Sequence, residues 1–313
     1  MSGYVIGMDE AGLGPNLGPL VITATVWEVA DVPQQTDFWS AFQDVLTNAP
    51  ARNDPRFHLA DSKDVYSPTR GIGSLERTVF AALRLIDRTP ATLSHLLNHL
   101  TDSQWNGSAP WWKADELPLP CIPNSTDHHR ADMWREACEK TGIRLKSIQS
   151  EVIPAERFNG LIDQHGNKSL ALSRVSLSLL RRVWSPEQPE LTLIIADKHG
   201  GRNRYDDLLD EIADGTMIFR LQEGKESSIY RIGKSEIRFQ MKAESHLPVA
   251  LASLVCKYVR ELSMDLFNQF WQSHVENLKP TKGYPQDARR FRADIALKQE
   301  QLGISDSVLW RCR

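Results

Sequence analysis

The chain mixes short, continuous apolar runs with stretches in which apolar residues return every three or four positions. That is the pattern of strands buried on both faces and of helices that cover them. Tyr4-Val5-Ile6 is the first such run, and it is followed by Gly7-Met8-Asp9-Glu10-Ala11-Gly12-Leu13-Gly14-Pro15. Turn-forming glycines and a proline stop it, so it reads as a buried strand that ends on two adjacent carboxylates. Residues 20–27, rich in β-branched side chains and introduced by Gly18-Pro19, read as a second strand. Residues 191–197 form another apolar run that again stops on an aspartate, Asp197. Residues 144–148 alternate like a strand, and residues 229–241 alternate around Gly233-Lys234 like a hairpin with a basic outer face. Helical spacing predicts helices over 73–86 (Leu75, Val79, Ala82, Leu83), 168–184 (Leu172, Val175, Leu179, Val183) and 249–271 (Val255, Val259, Leu262, Leu266, Phe270). The second of these leads into the run at 191–197, a helix-to-strand connection of the kind parallel sheets require.

Between residues 88 and 144 the pattern weakens. Trp105, Trp111 and Trp112 sit among Gly, Ser and Pro, and Pro110, Pro118, Pro120 and Pro123 break regular elements. This stretch reads as an insertion with one short helix over 132–141, packed on the rest through its aromatics; the other use of such tryptophans is stacking on bases. His128-His129 lacks a further ligand at helical or finger spacing and reads as surface.

Composition narrows the classes. With 313 residues, 41% apolar and 25% charged, the chain suits one core with a large insertion. The expected organisation is a catalytic domain over 1–87 and 145–313, interrupted by 88–144. No apolar run has the length of a membrane span and no signal-peptide pattern opens the chain, so a cytoplasmic protein without a membrane partner is expected. Cys121, Cys138, Cys256 and Cys312 show no paired metal-ligand spacing, which favours reduced thiols. The net charge is −3, yet residues 220–313 carry 16 Lys or Arg against 11 Asp or Glu. That local excess suits phosphates or an ordinary charged surface.

The chemistry concentrates at the strand ends. Open α/β sheets place their sites at the carboxyl ends of parallel strands. If the runs ending at Asp9 and Asp197 are parallel neighbours, those carboxylates stand roughly 5 Å apart. Adjacent acids in a poorly hydrated crevice repel each other unless a proton or a cation intervenes, so a divalent metal site is one explanation and an acidic turn the other. Asp61-Ser62 fits a helix cap, and Lys63 fits either a solvated charge or a phosphate contact. The loop Lys198-His199-Gly200-Gly201-Arg202-Asn203-Arg204 is flexible and basic, placed to touch a phosphate; the other reading is glycines that merely turn the chain at a strand end. On the last helix Lys257, Glu261 and Asp265 follow one another a turn apart, and Lys257 with Glu261 forms an ordinary i, i+4 pair.

Asp9-Glu10-Ala11-Gly12-Leu13-Gly14-Pro15 resembles the opening signature of type 2 ribonuclease H, the ribonuclease HII and HIII family. Four further segments resemble that family in the same order: Asp61-Ser62-Lys63, Ile194-Ile195-Ala196-Asp197, the run from Ala252 to Glu261, and Lys282-Gly283-Tyr284-Pro285. The resemblance implies a ribonuclease H-like α/β mixed sheet flanked by helices, with the Trp/Pro-rich insertion and a C-terminal helical region. It implies Asp9, Glu10, Asp197 and Glu261 as metal-binding and catalytic acids. It further implies two Mg²⁺ or Mn²⁺ ions, and contacts to substrate from Gly12, Leu13, Gly14, Ser62, Lys63, Lys257 and Tyr284. The implied activity is hydrolysis of the RNA strand of RNA–DNA hybrids to 5′-phosphate and 3′-hydroxyl ends, by a monomer.

The chain departs from the common pattern at three places. Glu261 stands where ribonuclease HII usually has aspartate, although ribonuclease HIII has glutamate there, which implies that metal binding is kept; Leu13 replaces an arginine between two glycines; and the end Val308-Leu309-Trp310-Arg311-Cys312-Arg313 lacks the usual arginine and serine-phenylalanine close. Two other classes stay open at this level: a nucleic-acid-binding module without catalysis, and a related metal nuclease on structured DNA.

Overall fold

The computed structural model describes residues 2–67, 69, 71–101, 109–123 and 125–311. Trp105 and Cys312 lie outside the described residues. The strands are β1 (Gly3–Ala11), β2 (Leu20–Val29), β3 (Leu46–Thr47), β4 (Phe57–His58), β5 (Arg144–Ile153), β6 (Leu191–Asp197), β7 (Ile218–Glu223), β8 (Ser227–Ile232) and β9 (Ser235–Gln240). The helices are α1 (Phe38–Ala41), α2 (Ser62–Val65), α3 (Gly73–Leu85), α4 (Leu93–Leu100), α5 (His128–Thr141), α6 (Ala155–His165), α7 (Lys168–Val183), α8 (Asp206–Asp210), α9 (Leu247–His274), α10 (Pro285–Gln301) and α11 (Asp306–Leu309).

Seven strands form one mixed sheet in the order β5-β2-β1-β6-β9-β8-β7, and β3 pairs with β4 apart from it. β1 lies near the middle, antiparallel to β2 and parallel to β6. Its partner β6 is in turn parallel to β9. Three neighbouring strands therefore send their carboxyl ends to the same edge, which is where an α/β sheet opens a crevice. The register sets Met8 opposite Ala196. One residue further on, Asp9 and Asp197 stand side by side at the end of the ladder.

Both faces of the sheet are covered, as the uninterrupted apolar runs require. On one face α9, α3 and α5 pack with Val5, Trp27, Ile148 and Ile195. On the other α6, α7 and α8 pack with Ile6, Ile22, Ile194 and Phe239. A third cluster joins Phe267 and Trp271 of α9 to Phe291 and Ile295 of α10, Leu309 of α11 and Trp111. Residues of 88–144 enter these same clusters: Leu93, Leu96, Leu97 and Trp134 join the first, and Trp111 packs edge-on against Phe267 at 5.1 Å. Glu76 of α3 fastens the proline-rich part. It is fully buried and accepts from the backbone N–H of Cys121 (2.7 Å) and Ile122 (2.9 Å), from Ser125 Oγ (2.7 Å) and from the Tyr258 hydroxyl (2.7 Å).

The contact between α9 and β1 is a backbone contact, and Gly7 permits it. A Cβ at Gly7 would lie 2.2 Å from the Pro248 carbonyl carbon and 2.4 Å from the Val249 nitrogen. Thr25 Oγ1 donates to the Pro248 carbonyl oxygen (2.8 Å) and locks the first turn of α9 across β1 and β2. The segment just before α9 is thereby held against the strand that carries Asp9.

Candidate active site

Asp9 and Glu10 project to opposite faces of β1, as consecutive strand residues must. At the strand end both border one cleft of about 150 Å³. Its lining holds the acids Asp9, Glu10, Asp61, Asp197 and Glu244 together with the bases Lys63, Lys257 and Arg260, and Gly12 and Tyr284 also border it.

Each acid is positioned by its own element. Asp9 accepts from the Ser253 side chain on α9, and the Cys256 thiol donates to the Asp9 carbonyl oxygen (3.2 Å). Asp197 accepts from the backbone N–H groups of Lys198 and Ala243. Ala243 begins a 3-10 turn, Ala243–Ser245, which carries Glu244 between the end of β9 and the start of α9. The carboxyl ends of β1 and β6, and the turn leaving β9, thus each deliver an acid to the cleft. Asp61 caps α2 through the Lys63 N–H (3.0 Å), the capping use of that pair, and α2 is tied to α9 by the Ser62 N–H bonding Ser253 Oγ (3.3 Å).

Burial raises the Asp9 carboxyl to about 7, with Asp197 and Asp61 adding to the effect against hydrogen bonds from Ser253 and Glu10. Burial, then the neighbouring charges of Asp9 and Asp197, raise Glu10 to about 8. Asp197 is raised too, again by burial first. Such acids retain protons near neutrality unless a cation replaces them. Among the described residues, no three acid, imidazole or thiol groups stand together as placed so that they could hold a metal ion. What fits a cation is the donor set: oxygen only, as hard divalent ions require, bordering one cleft with raised affinity for positive charge.

Glu261 is placed differently from the expectation. It is 2% exposed and is not among the residues lining the cleft. Its Oε1 accepts from Lys257 Nζ (2.6 Å), and its Oε2 accepts from Lys282 Nζ (2.5 Å) and the Tyr66 hydroxyl (2.6 Å). Burial opposes its charge, but Lys257, Lys282 and Tyr66 outweigh burial and hold its carboxyl below the usual range. Two ammonium groups and a phenol neutralise this carboxylate where it stands, so a metal would have to share it with them or displace them. The i, i+4 pair of Lys257 and Glu261 is therefore a buried clamp and not a solvated face. Glu244 and Asp61 line the cleft beside the three expected acids Asp9, Glu10 and Asp197. Unlike Asp197, which ends its own strand, Glu244 sits in a short turn between a strand and a long helix, so no apolar run points to it.

The remaining candidates fall on the rim or beside it. Lys63 is exposed, with Asp61 at 3.3 Å. Lys257 also lies over the Tyr66 ring at 4.5 Å. Tyr284 is 55% exposed, and its turn is packed on the glycine loop by the N–H groups of Asn16 (2.8 Å) and Leu17 (3.3 Å) donating to the Gly283 carbonyl. Gly12 needs to be glycine: its φ is +96° and a Cβ would meet the Pro19 carbonyl oxygen at 2.6 Å. Gly14 stands in open space, and Leu13 packs its side chain against the apolar cluster under β1. The basic loop after Asp197 turns partly inward. Lys198 bonds Asn203 Oδ1 (2.8 Å) and the Gly224 carbonyl, and His199 is buried with its Nδ1 3.0 Å from Ser173 Oγ. Burial pushes that imidazole down to about 4, so it is neutral.

No family model matches the chain, and no curated protein matches it. Solved structures do. Ribonuclease HII of Archaeoglobus fulgidus, determined in complex with PCNA, aligns at 14% identity over 99% of this chain and 94% of its own, with a TM-score of 0.42. Ribonuclease H2 of Pyrococcus horikoshii OT3 aligns at 14% identity over 98% of this chain and 92% of its own, with a TM-score of 0.43. Ribonuclease H3 of Aquifex aeolicus aligns at 13% identity over 98% of this chain and 70% of its own, with a TM-score of 0.37. The structures that this chain resembles are thus type 2 ribonucleases H, and likeness at these identities leaves activity and substrate to be argued from the site itself.

Proposed function

We propose that this protein is a divalent-metal-dependent endonuclease that cuts the RNA strand of RNA–DNA hybrids. The observation that carries the reading is the gathering of Asp9, Glu10, Asp197 and Glu244 at the ends of three adjacent strands, in one cleft that Lys63, Lys257 and Arg260 also line. The five ordered motifs described above supply the substrate class; the geometry supplies the chemistry.

Asp9, Glu10, Asp197 and Glu244 would hold two Mg²⁺ or Mn²⁺ ions. Bound there, such ions supply activation of a water for in-line attack and stabilisation of the departing oxygen, giving 5′-phosphate and 3′-hydroxyl ends. The chain's own residues do the rest. Lys63 and Lys257 bring positive charge into the cleft lining, where a phosphodiester is neutralised. Ser62 holds the Lys63 turn to α9 through Ser253. The Gly12-Leu13-Gly14 loop offers backbone groups to the 2′-hydroxyl that marks the RNA strand, and the exposed Tyr284 packs on the neighbouring sugar. The protein acts on the hybrid as a monomer.

The test is a labelled duplex carrying either one ribonucleotide or a run of four, incubated with Mg²⁺ or Mn²⁺. The run is cut and the single ribonucleotide is not, because Leu13 is packed into the apolar cluster and presents no cation to a junction. Cleavage of neither refutes the enzyme. Asp9→Asn abolishes turnover while the melting temperature holds or rises, since the substitution removes a buried repulsion; unchanged cleavage by that variant refutes the assignment.

A further inference from the structure

Two buried arginines lie under the glycine loop: Arg260, with the charge of Glu261 nearby, and Arg311, with no carboxylate in ion-pair contact among the described residues. Arg260 Nη1 donates to the Pro19 carbonyl (2.7 Å), and its Nη2 donates to those of Leu17 (3.2 Å) and Lys282 (3.1 Å). Arg311, fully buried, donates to the carbonyls of Gly12 and Leu13, the latter at 3.0 Å, and reaches that of Gly18 at 3.5 Å. Its guanidinium lies 3.9 Å from the centre of the Phe158 ring. Its backbone is stitched to the same loop: the Arg311 N–H donates to the Asn16 carbonyl (2.9 Å), and Asn16 Nδ2 donates to the Arg311 carbonyl (3.3 Å). Asn159 Nδ2 secures the approach by donating to the carbonyls of Ser307 (3.1 Å) and Trp310 (2.8 Å).

This placement is costly unless it accomplishes something, because a buried cation without an anion has to be solvated by dipoles alone. Its effect follows from the planarity of the peptide. The Gly12 carbonyl shares a plane with the Leu13 N–H, and the Leu13 carbonyl with the Gly14 N–H, each pair pointing oppositely. Drawing both carbonyls onto one guanidinium turns both N–H groups the other way, where Gly14 stands in open space and Gly12 borders the cleft. Among the described residues neither N–H has a partner. Successive N–H groups of this kind form an anion-binding concavity, and the two guanidinium charges beneath add a positive field to it.

We propose that Arg311 is a positioning residue that presents the Leu13 and Gly14 N–H groups to a phosphodiester oxygen of the bound strand, supplying from beneath the positive charge that Leu13 does not supply from its side chain. The ligand class rests on the hybrid-cleaving reading above; the presentation of the amides rests on the loop alone. The first arm of the test uses the unmodified protein, metal-free, with ¹⁵N-labelled leucine and glycine. On addition of an RNA–DNA hybrid the Leu13 and Gly14 amide resonances shift and their hydrogen exchange slows by about tenfold, as for amides that gain an acceptor. Unmoved resonances with bound hybrid overturn the inference.

The second arm compares Arg311→Lys and Arg311→Gln with the parent in steady-state cleavage. KM rises about tenfold while kcat stays within about threefold, the split expected when a contact made equally in ground and transition state is lost. A merely structural role would lower the active fraction, and hence kcat, without moving KM. An unchanged KM in both variants overturns the positioning role. If the variants fail to fold, the labelled-amide measurement decides. Absence of cleavage by the parent protein sinks the proposed function instead, and the amide response to hybrid still tests the loop.

Discussion

Asp9 and Glu10 make the metal-free protein sensitive to pH in a direction opposite to that of an ordinary ion-paired acid. Burial raises them to about 7 and about 8, whereas in the unfolded chain they titrate near pH 4. Between those limits the folded state binds more protons than the unfolded one, so stability falls as pH rises through that window. Below it both states are protonated and the penalty vanishes. A cation in the cleft removes the penalty where it is largest. Saturating Mg²⁺ therefore raises the melting temperature more at pH 8 than at pH 6, and an equal or smaller increment at pH 8 contradicts this account of the acids. Glu261 behaves in the other sense. Glu261→Gln leaves Lys257 and Lys282 without their shared anion at a site 2% exposed, a loss of about 3 kcal/mol in urea unfolding. A change below about 0.5 kcal/mol, the size typical of surface substitutions, contradicts the clamp.

At the scale of elements, α9 fixes the site and Gly7 fixes α9. A methyl group at Gly7 meets backbone at 2.2 Å, which no rotamer relieves, so Gly7→Ala pushes the start of α9 off β1. The expected cost is about 1–3 kcal/mol of overpacking in a denaturant titration, with reduced cleavage because Ser253 and the turn carrying Glu244 move with the helix. A variant as stable and as active as the parent contradicts the proposed chain of support. Glu76 does the equivalent for the proline-rich segment: one buried carboxylate satisfies two backbone N–H groups and two hydroxyls. Glu76→Gln, which has one acceptor where four donors need them, lowers stability by about 2 kcal/mol, measured in the same titration.

Over the whole molecule, what the amino-acid pattern revealed follows from burial. β1, β2, β6 and the cores of α3, α7 and α9 are enclosed on the faces that periodicity reports, and their bounds lie within a few residues of those predicted. β7 escaped because its apolar residues Phe219 and Leu221 are exposed and no alternation survives. α10 buries only Ala288, Phe291 and Ile295 in 17 residues, too thin a stripe to stand out. α4, a compact Leu-rich helix, was lost among prolines and tryptophans. In the cleft, Asp9, Glu10 and Asp197 were legible because continuous apolar strands end on them. Glu244 was not, because a short turn separates it from its strand, and which acid a turn aims at a cleft is settled by tertiary contacts. For Glu261 the spacing on α9 says which face it occupies but not that Lys282 and Tyr66 reach it from elsewhere in the chain and hold it beside the cleft lining. Arg311 lies some 300 residues from the loop it grips, a pairing no local pattern encodes.

The most direct test of the account is single-turnover cleavage of the four-ribonucleotide duplex by Glu244→Gln and Glu261→Gln, side by side with the parent at saturating Mg²⁺. If the cleft acids are the metal-holding set, Glu244→Gln loses about a thousandfold or more, on the order of 4 kcal/mol of barrier, and Glu261→Gln keeps more than about a tenth of the rate. The reverse order, with Glu261→Gln inert and Glu244→Gln active, contradicts the site described for this protein.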